Sequence, residues 1–236
     1  MQAAVIGVLT DYEGRVLLKQ SGDSALVPVR APLEQGQMPP ATLDRAFREA
    51  TGLIVMPVRL TGVYYDTGIP GGEMMFVFRC TMRGGDLQIP QGGSPAGFFD
   101  IPPLPPALSP KYRRQVDTAL HHPGGPPVME QVGGLGTRLG RLLGRREAAT
   151  DSIDWDVSVR VALKESDGPV EWAVVDSDDY QGAMTSPAVP GQTPWMTATR
   201  LMSMYQPDGT VEVRLARVEI AAARPALTMV FAPTGL

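Results

Sequence analysis

Short apolar runs at residues 3–9 and 15–20 flank Asp11-Tyr12-Glu13-Gly14, a turn sequence, and together they predict a strand pair. A Pro-rich loop spans residues 28–40. Residues 41–51 then place Leu43, Phe47 and Ala50 on one helical face, with Asp44, Arg45, Arg48 and Glu49 largely on the other. That pattern predicts a helix, which Gly52 closes. Apolar, β-branched or aromatic runs at 53–65 and 74–83, bounded by glycine, predict strands. A second, shorter helix is expected at 112–121, after the Pro-rich segment 102–110.

Beyond Asp151 the period changes to two. Val157, Val159, Val161 and Leu163 alternate with Ser158, Arg160, Ala162 and Lys164, the pattern of a half-buried strand. Runs at 170–175, 195–205, 211–220 and 226–231 follow, joined by turns such as Ser166-Asp167-Gly168 and Pro207-Asp208-Gly209. The expectation is a small, mainly antiparallel β domain of about five strands over 151–236, with no repeat of the first half. Residues 123–150 read as a connection. They open on Pro-Gly-Gly-Pro-Pro, and Val132, Leu135, Leu139, Leu142 and Leu143 oppose Arg138, Arg141, Arg145 and Arg146 at helical spacing. Interspersed glycines cost that helix about 1 kcal/mol each, so it is expected to dock on its own domains. The predicted organisation is 1–122, a linker at 123–150, and 151–236.

Composition narrows the class. With 26 Gly and 23 Pro in 236 residues the chain is too punctuated for a helical bundle, while 43% hydrophobic and 19% charged residues exclude wholesale disorder. The formal charge of −4 is unevenly spread. Residues 1–122 hold eleven acidic and eleven basic side chains, 123–150 two and four, and 151–236 twelve and six. No part is basic enough to track a phosphate backbone, so nucleic acid is not an expected partner. Eighteen Arg against three Lys is a bias typical of GC-rich bacterial coding. The single Cys80, inside an apolar run, reads as a buried structural thiol. No basic leader precedes the first apolar run and no stretch approaches the roughly 20 apolar residues of a membrane span, so a cytoplasmic, non-membrane protein is expected.

Several groups read as structural. His121 and His122 are adjacent, so on a helix they point about 100° apart and do not chelate one ion. Asp176, Asp178 and Asp179 lack the glycine and glutamate of a Ca²⁺ loop. Ser186, Thr193 and Ser203 have no histidine in their half to serve as base. Tyr64, Tyr65, Phe98 and Phe99 read as strand core, and Trp195, Met196, Met202 and Met204 as an adaptable apolar surface for a core or an interface.

The informative segment is Ala31-Pro32-Leu33-Glu34-Gln35-Gly36-Gln37 followed by Arg45-Ala46-Phe47-Arg48-Glu49-Ala50-Thr51-Gly52-Leu53. It resembles the Nudix box, G-x5-E-x7-R-E-U-x-E-E-x-G-U, in which U is a bulky apolar residue. Gly14-Arg15-Val16-Leu17-Leu18, Gly84-Gly85-Asp86-Leu87 and Phe98-Phe99 fall in the order seen in Nudix domains, so the resemblance covers residues 3–120. It implies an α/β/α sandwich with a mixed sheet, making the whole chain α+β. In the family, glutamates on successive turns of one helical face hold Mg²⁺ or Mn²⁺ against a diphosphate, and a metal-activated water cleaves it.

Matched position by position, Arg45, Phe47, Glu49, Gly52 and Leu53 agree with the box. Ala31 stands for its glycine, and Gln37, Ala46 and Ala50 stand for its glutamates. The later family glutamate has no counterpart; Gln91-Gly92-Gly93-Ser94 occupies that region. The resemblance therefore implies a preserved scaffold with a degenerate metal site, binding a nucleotide-like small molecule or a protein partner with weak or no hydrolysis. Catalytic roles, if any survive, fall to Glu49 and Arg45. The alternative is an active, divergent hydrolase whose Mg²⁺ or Mn²⁺ is held by Glu49, Glu34 and Asp44. A third reading gives the C-terminal half a partner-binding or homo-oligomerising role; a fused winged-helix regulator is disfavoured by its acidic, strand-patterned character.

Overall fold

Two mixed five-stranded sheets organise the chain in a computed structural model that describes residues 1–22, 25–133, 153–162, 168–176, 184–189, 192–205 and 212–234. The first unit runs β1 (Gln2–Leu9), β2 (Val16–Ser21), β3 (Ala25–Val27), β4 (Val29–Pro32), α1 (Pro39–Thr51), β5 (Ile54–Asp66), β6 (Glu73–Gly84), β7 (Ala96–Phe99), α2 (Pro110–His121) and β8 (Val128–Val132). Its main sheet has the order β4-β1-β6-β5-β8, and a three-stranded antiparallel sheet, β3-β2-β7, lies beside it.

β1 explains the layering. It is covered on both faces, so its sequence is apolar almost throughout instead of alternating. Ala3, Val5 and Leu9 join Leu43 and Phe47 of α1 in one core, while Ala4, Ile6 and Val8 join Tyr112 and Val116 of α2 in another. The α/β/α sandwich expected from the box follows directly. Tyr64 and Tyr65 are fully buried in these cores, as their strand position predicted.

The second unit runs β9 (Asp156–Val161), β10 (Glu171–Val175), β11 (Met184–Pro187), α3 (Pro194–Tyr205), β12 (Glu212–Ala221) and β13 (Ala226–Thr234). It contains the expected five-stranded sheet, but two of its four pairings, β10 with β12 and β9 with β13, are parallel. Residues 195–205 form α3 instead of the predicted strand. Pro194, Thr197, Ala198 and Met202 make its buried face, and Thr193 accepts the Met196 amide at 3.3 Å.

The order β11-β9-β13-β12-β10 repeats the first unit's pattern. In both sheets successive neighbours pair antiparallel, parallel, antiparallel and parallel. α3 connects β11 to β12 as α1 connects β4 to β5. Buried Pro39, Thr42, Leu43 and Phe47 of α1 recur at the same spacing as Pro194, Thr197, Ala198 and Met202 of α3. The expectation of no repeat is thus corrected at the level of topology. Among the described residues the second unit lacks counterparts of β2, β3, β7 and α2, and β10 takes the edge place of β8.

Two further expectations change. β4 lies within the Pro-rich loop at 28–40, where its edge position tolerates Pro32 opposite Ala4. β8 comes from the segment read as linker and pairs in parallel with β5. The amphipathic pattern from Leu135 to Leu143 lies outside the described residues, as do Lys164, Asp178, Asp179 and the turn at 207–209. No helix among the described residues is long and apolar enough to cross a membrane.

The α1-side core continues without a break into the second unit, taking in Val157, Val159, Leu215, Met229 and Phe231. Trp172 of β10 meets Phe76 edge-on at 5.1 Å and Phe78 at 5.7 Å. At the other end the Trp155 amide donates to the Met1 carbonyl at 2.6 Å, and the Met1 ammonium pairs with Asp154.

Cys80 is 1% exposed in this core, and burial pushes its thiol up to about 12. A thiol stays protonated there at neutral pH, so a thiolate-directed reagent should label the native protein negligibly and the urea-unfolded protein completely, read by mass spectrometry. Its contribution to stability is intact below the unfolded thiol's value near 9.0 and is lost as pH rises towards about 12. Rapid labelling of native protein at pH 8 would contradict this placement.

Candidate functional site

The box-like segment forms a loop, a helix and a tight exit. The Gln37 amide donates to the Glu34 carbonyl at 3.1 Å, closing the turn that leads into α1. Met38 caps the helix in extended conformation without a side-chain hydrogen bond, and Pro39 and Pro40 occupy the first turn, where missing N–H groups cost nothing. At the other end Gly52 adopts φ 74°, and its amide donates to the Arg48 carbonyl. A Cβ there would sit 2.7 Å from the Asp86 carbonyl oxygen, so both the conformation and the close approach require glycine.

The structure brings together three of the four residues singled out by sequence. Arg45 Nη2 lies 2.5 Å from Glu34 Oε1, and Arg45 Nε lies 3.9 Å from Glu49 Oε1. Glu49 is the most exposed of the three at 70%, and Arg45 and Glu34 are 38% and 42% exposed. Asp44 is turned elsewhere: Oδ2 accepts from Arg48 at 2.5 Å and Oδ1 from the Val55 amide at 3.2 Å. It fastens α1 to the start of β5. Ala46, at a family glutamate position, packs against the core. Among the described residues no group of three or more His, Cys, Asp or Glu side chains is placed to hold a metal ion.

The second unit touches this segment. Gln35 Nε2 donates to the Ala222 carbonyl at 3.3 Å, so the turn between β12 and β13 rests on the loop before α1. The histidines diverge as expected. His121 contacts Asp117, whereas His122 Nδ1 accepts from the Gly124 amide at 3.2 Å. That contact leaves the proton on His122 Nε2, which donates to the Pro126 carbonyl at 3.2 Å.

A charge cluster that sequence reading missed closes one end of the first sheet. Asp66 ends β5 and Glu73 begins β6, and they are 2% and 1% exposed. Lys111 Nζ of α2 lies 3.3 Å from Asp66 and 3.8 Å from Glu73, and Arg30 of β4 pairs with Glu73 from the other side. Asp66 Oδ1 also accepts the Gly68 amide at 2.8 Å. Two cations matched to two carboxylates, tied to strand ends and a helix, form a structural clamp.

The N-terminal part of the chain is similar in fold to solved Nudix hydrolases at low sequence identity. An ADP-ribose pyrophosphatase from Streptococcus suis is 18% identical with a TM-score of 0.45, over 56% of this chain and 98% of that one. A mutator MutT protein from Bacillus halodurans is 18% identical with a TM-score of 0.48, over 56% and 90%. A Nudix hydrolase from Nitrosomonas europaea is 15% identical with a TM-score of 0.45, over 56% and 79%. No family model and no curated protein matches the sequence.

Proposed function

We propose that the protein is a Nudix-fold binding protein that holds a nucleotide-diphosphate-type ligand and hydrolyses it weakly or not at all. Arg45 carries this reading. Its guanidinium lies within ion-pair distance of both Glu34 and Glu49 and offsets the two carboxylates that a divalent cation would need. Mg²⁺ and Mn²⁺ are hard cations that favour charged oxygen ligands. Ala46, Ala50 and Gln37 offer no anionic oxygen beside Glu49, and Asp44 is engaged with Arg48 and the Val55 amide. These residues do not fit such an ion. What the face retains for a diphosphate is a guanidinium suited to bidentate contact.

Incubation with Mg²⁺ or Mn²⁺ and a panel of dinucleotides and nucleotide sugars tests the reading, with phosphate release measured through a coupled phosphatase. Turnover at most slightly above the protein-free blank is expected, with at least one panel member raising the melting temperature. Robust Mn²⁺-dependent release that disappears in Glu49→Gln would overturn it in favour of an active hydrolase.

A further inference from the structure

We infer that a cavity between the two units binds a small molecule that joins an anionic group to a planar aromatic ring. The cavity has a volume of about 450 Å³, within the roughly 300–1,000 Å³ of small-molecule sites. The first unit contributes Arg59, Leu60 and Phe78, and the second contributes Val170, Trp172 and Arg214. Neither arginine has an ion-pair partner among the described residues, unlike the arginines of the box face and the buried clamp. Arg214 Nη2 donates to the Gly168 carbonyl, and its Nε has no hydrogen-bond partner among the described residues. A cavity-lining guanidinium without a carboxylate partner is available to an anion that enters the cavity. Arg59 faces the same cavity from the edge of β5, where Gly124 approaches so closely that a Cβ would lie 3.2 Å from Nη1.

Ring recognition comes from Trp172 and Phe78, whose centroids are 5.7 Å apart. One apolar aromatic surface beside two guanidiniums matches a ring bearing a phosphate or carboxylate better than either part alone. The site differs from the box face. Pro40 also lines the cavity, and it is nine residues from Glu49 on α1, which places the two about 180° apart around the helix. The inference rests on the proposed binding role only in the choice of a nucleotide as first probe.

Calorimetric titration of the full chain with AMP, adenosine, inorganic phosphate and benzoate tests it. AMP is expected to bind at least about tenfold more tightly than adenosine or phosphate, and Arg59→Ala to weaken it by about tenfold or more. Arg59 is exposed, so that variant folds; Arg214→Gln, which removes the second guanidinium, should act in the same direction. AMP should also quench tryptophan fluorescence, and Trp172→Phe should remove that quench. Benzoate binding more tightly than AMP would assign the anion as carboxylate and keep the site. AMP binding that survives Arg59→Ala but is lost in Arg45→Ala overturns the cavity and leaves the binding role standing. No binding of AMP or benzoate at about 1 mM overturns the cavity as well; the binding role falls separately, if no diphosphate of the panel binds.

Discussion

Glu73→Ala is expected to destabilise the protein by about 3–5 kcal/mol, read as a lowered urea midpoint with an unchanged slope. Glu73 is 1% exposed, between Arg30 and Lys111, whose side chains are each 21% exposed. Removing the carboxylate leaves two cations facing each other at the end of the sheet with only Asp66 to offset them. The penalty is that of uncompensated charge, and it exceeds the net worth of the pair. Replacing Arg30 and Glu73 together by methionine should therefore cost less than Glu73→Ala alone. A loss below about 1 kcal/mol for Glu73→Ala would mean the cluster is hydrated and is no clamp.

Phe47→Ala should cost about 3–5 kcal/mol by opening a cavity under α1. Phe47 is fully buried, and it fits because β1 carries Gly7 beneath it: a Cβ on Gly7 would lie 2.3 Å from the Phe47 ring. Gly7→Ala therefore overpacks the same place, at about 1–3 kcal/mol. The two sites share one volume, so Gly7→Ala in a Phe47→Leu background should be milder than in the native chain. Thermal denaturation of the four proteins checks this, and strict additivity would show that the ring and the strand do not compete for space.

Legibility followed local periodicity. β1, β2, α1, β5, β6, α2, β9, β12 and β13 stand where apolar spacing put them, because each buries a contiguous face. α3 resembles a strand in sequence because Met202 and Met204 alternate after the apolar pair Trp195-Met196. Thr193-Pro194 was the overlooked signal, a cap residue followed by proline at the first helical position. β4 was hidden by Pro32, which an edge strand accommodates. The duplicated topology was illegible because the helices share burial spacing and little chemistry; Leu43 and Phe47 correspond to Ala198 and Met202.

At the box face, the contact of Arg45 with Glu49 followed from their four-residue spacing, but its contact with Glu34 depends on the turn before α1. The clamp of Asp66, Glu73, Arg30 and Lys111 is assembled from four elements, and no single stretch of sequence displays it. The cavity likewise takes Arg59 from one unit and Arg214 from the other.

The continuous core beneath Trp172 gives the covalent connection between the halves a particular meaning. Two separate chains packed this way would associate according to concentration, whereas one polypeptide fixes a one-to-one ratio and supplies the second partner intramolecularly. Among its described residues the second unit has no counterpart of the small β3-β2-β7 sheet, and β10 presses its tryptophan onto β6. A change in β10 is then a change in the first unit's interior, so the acidic half acts on the box-bearing half as a permanently bound subunit would.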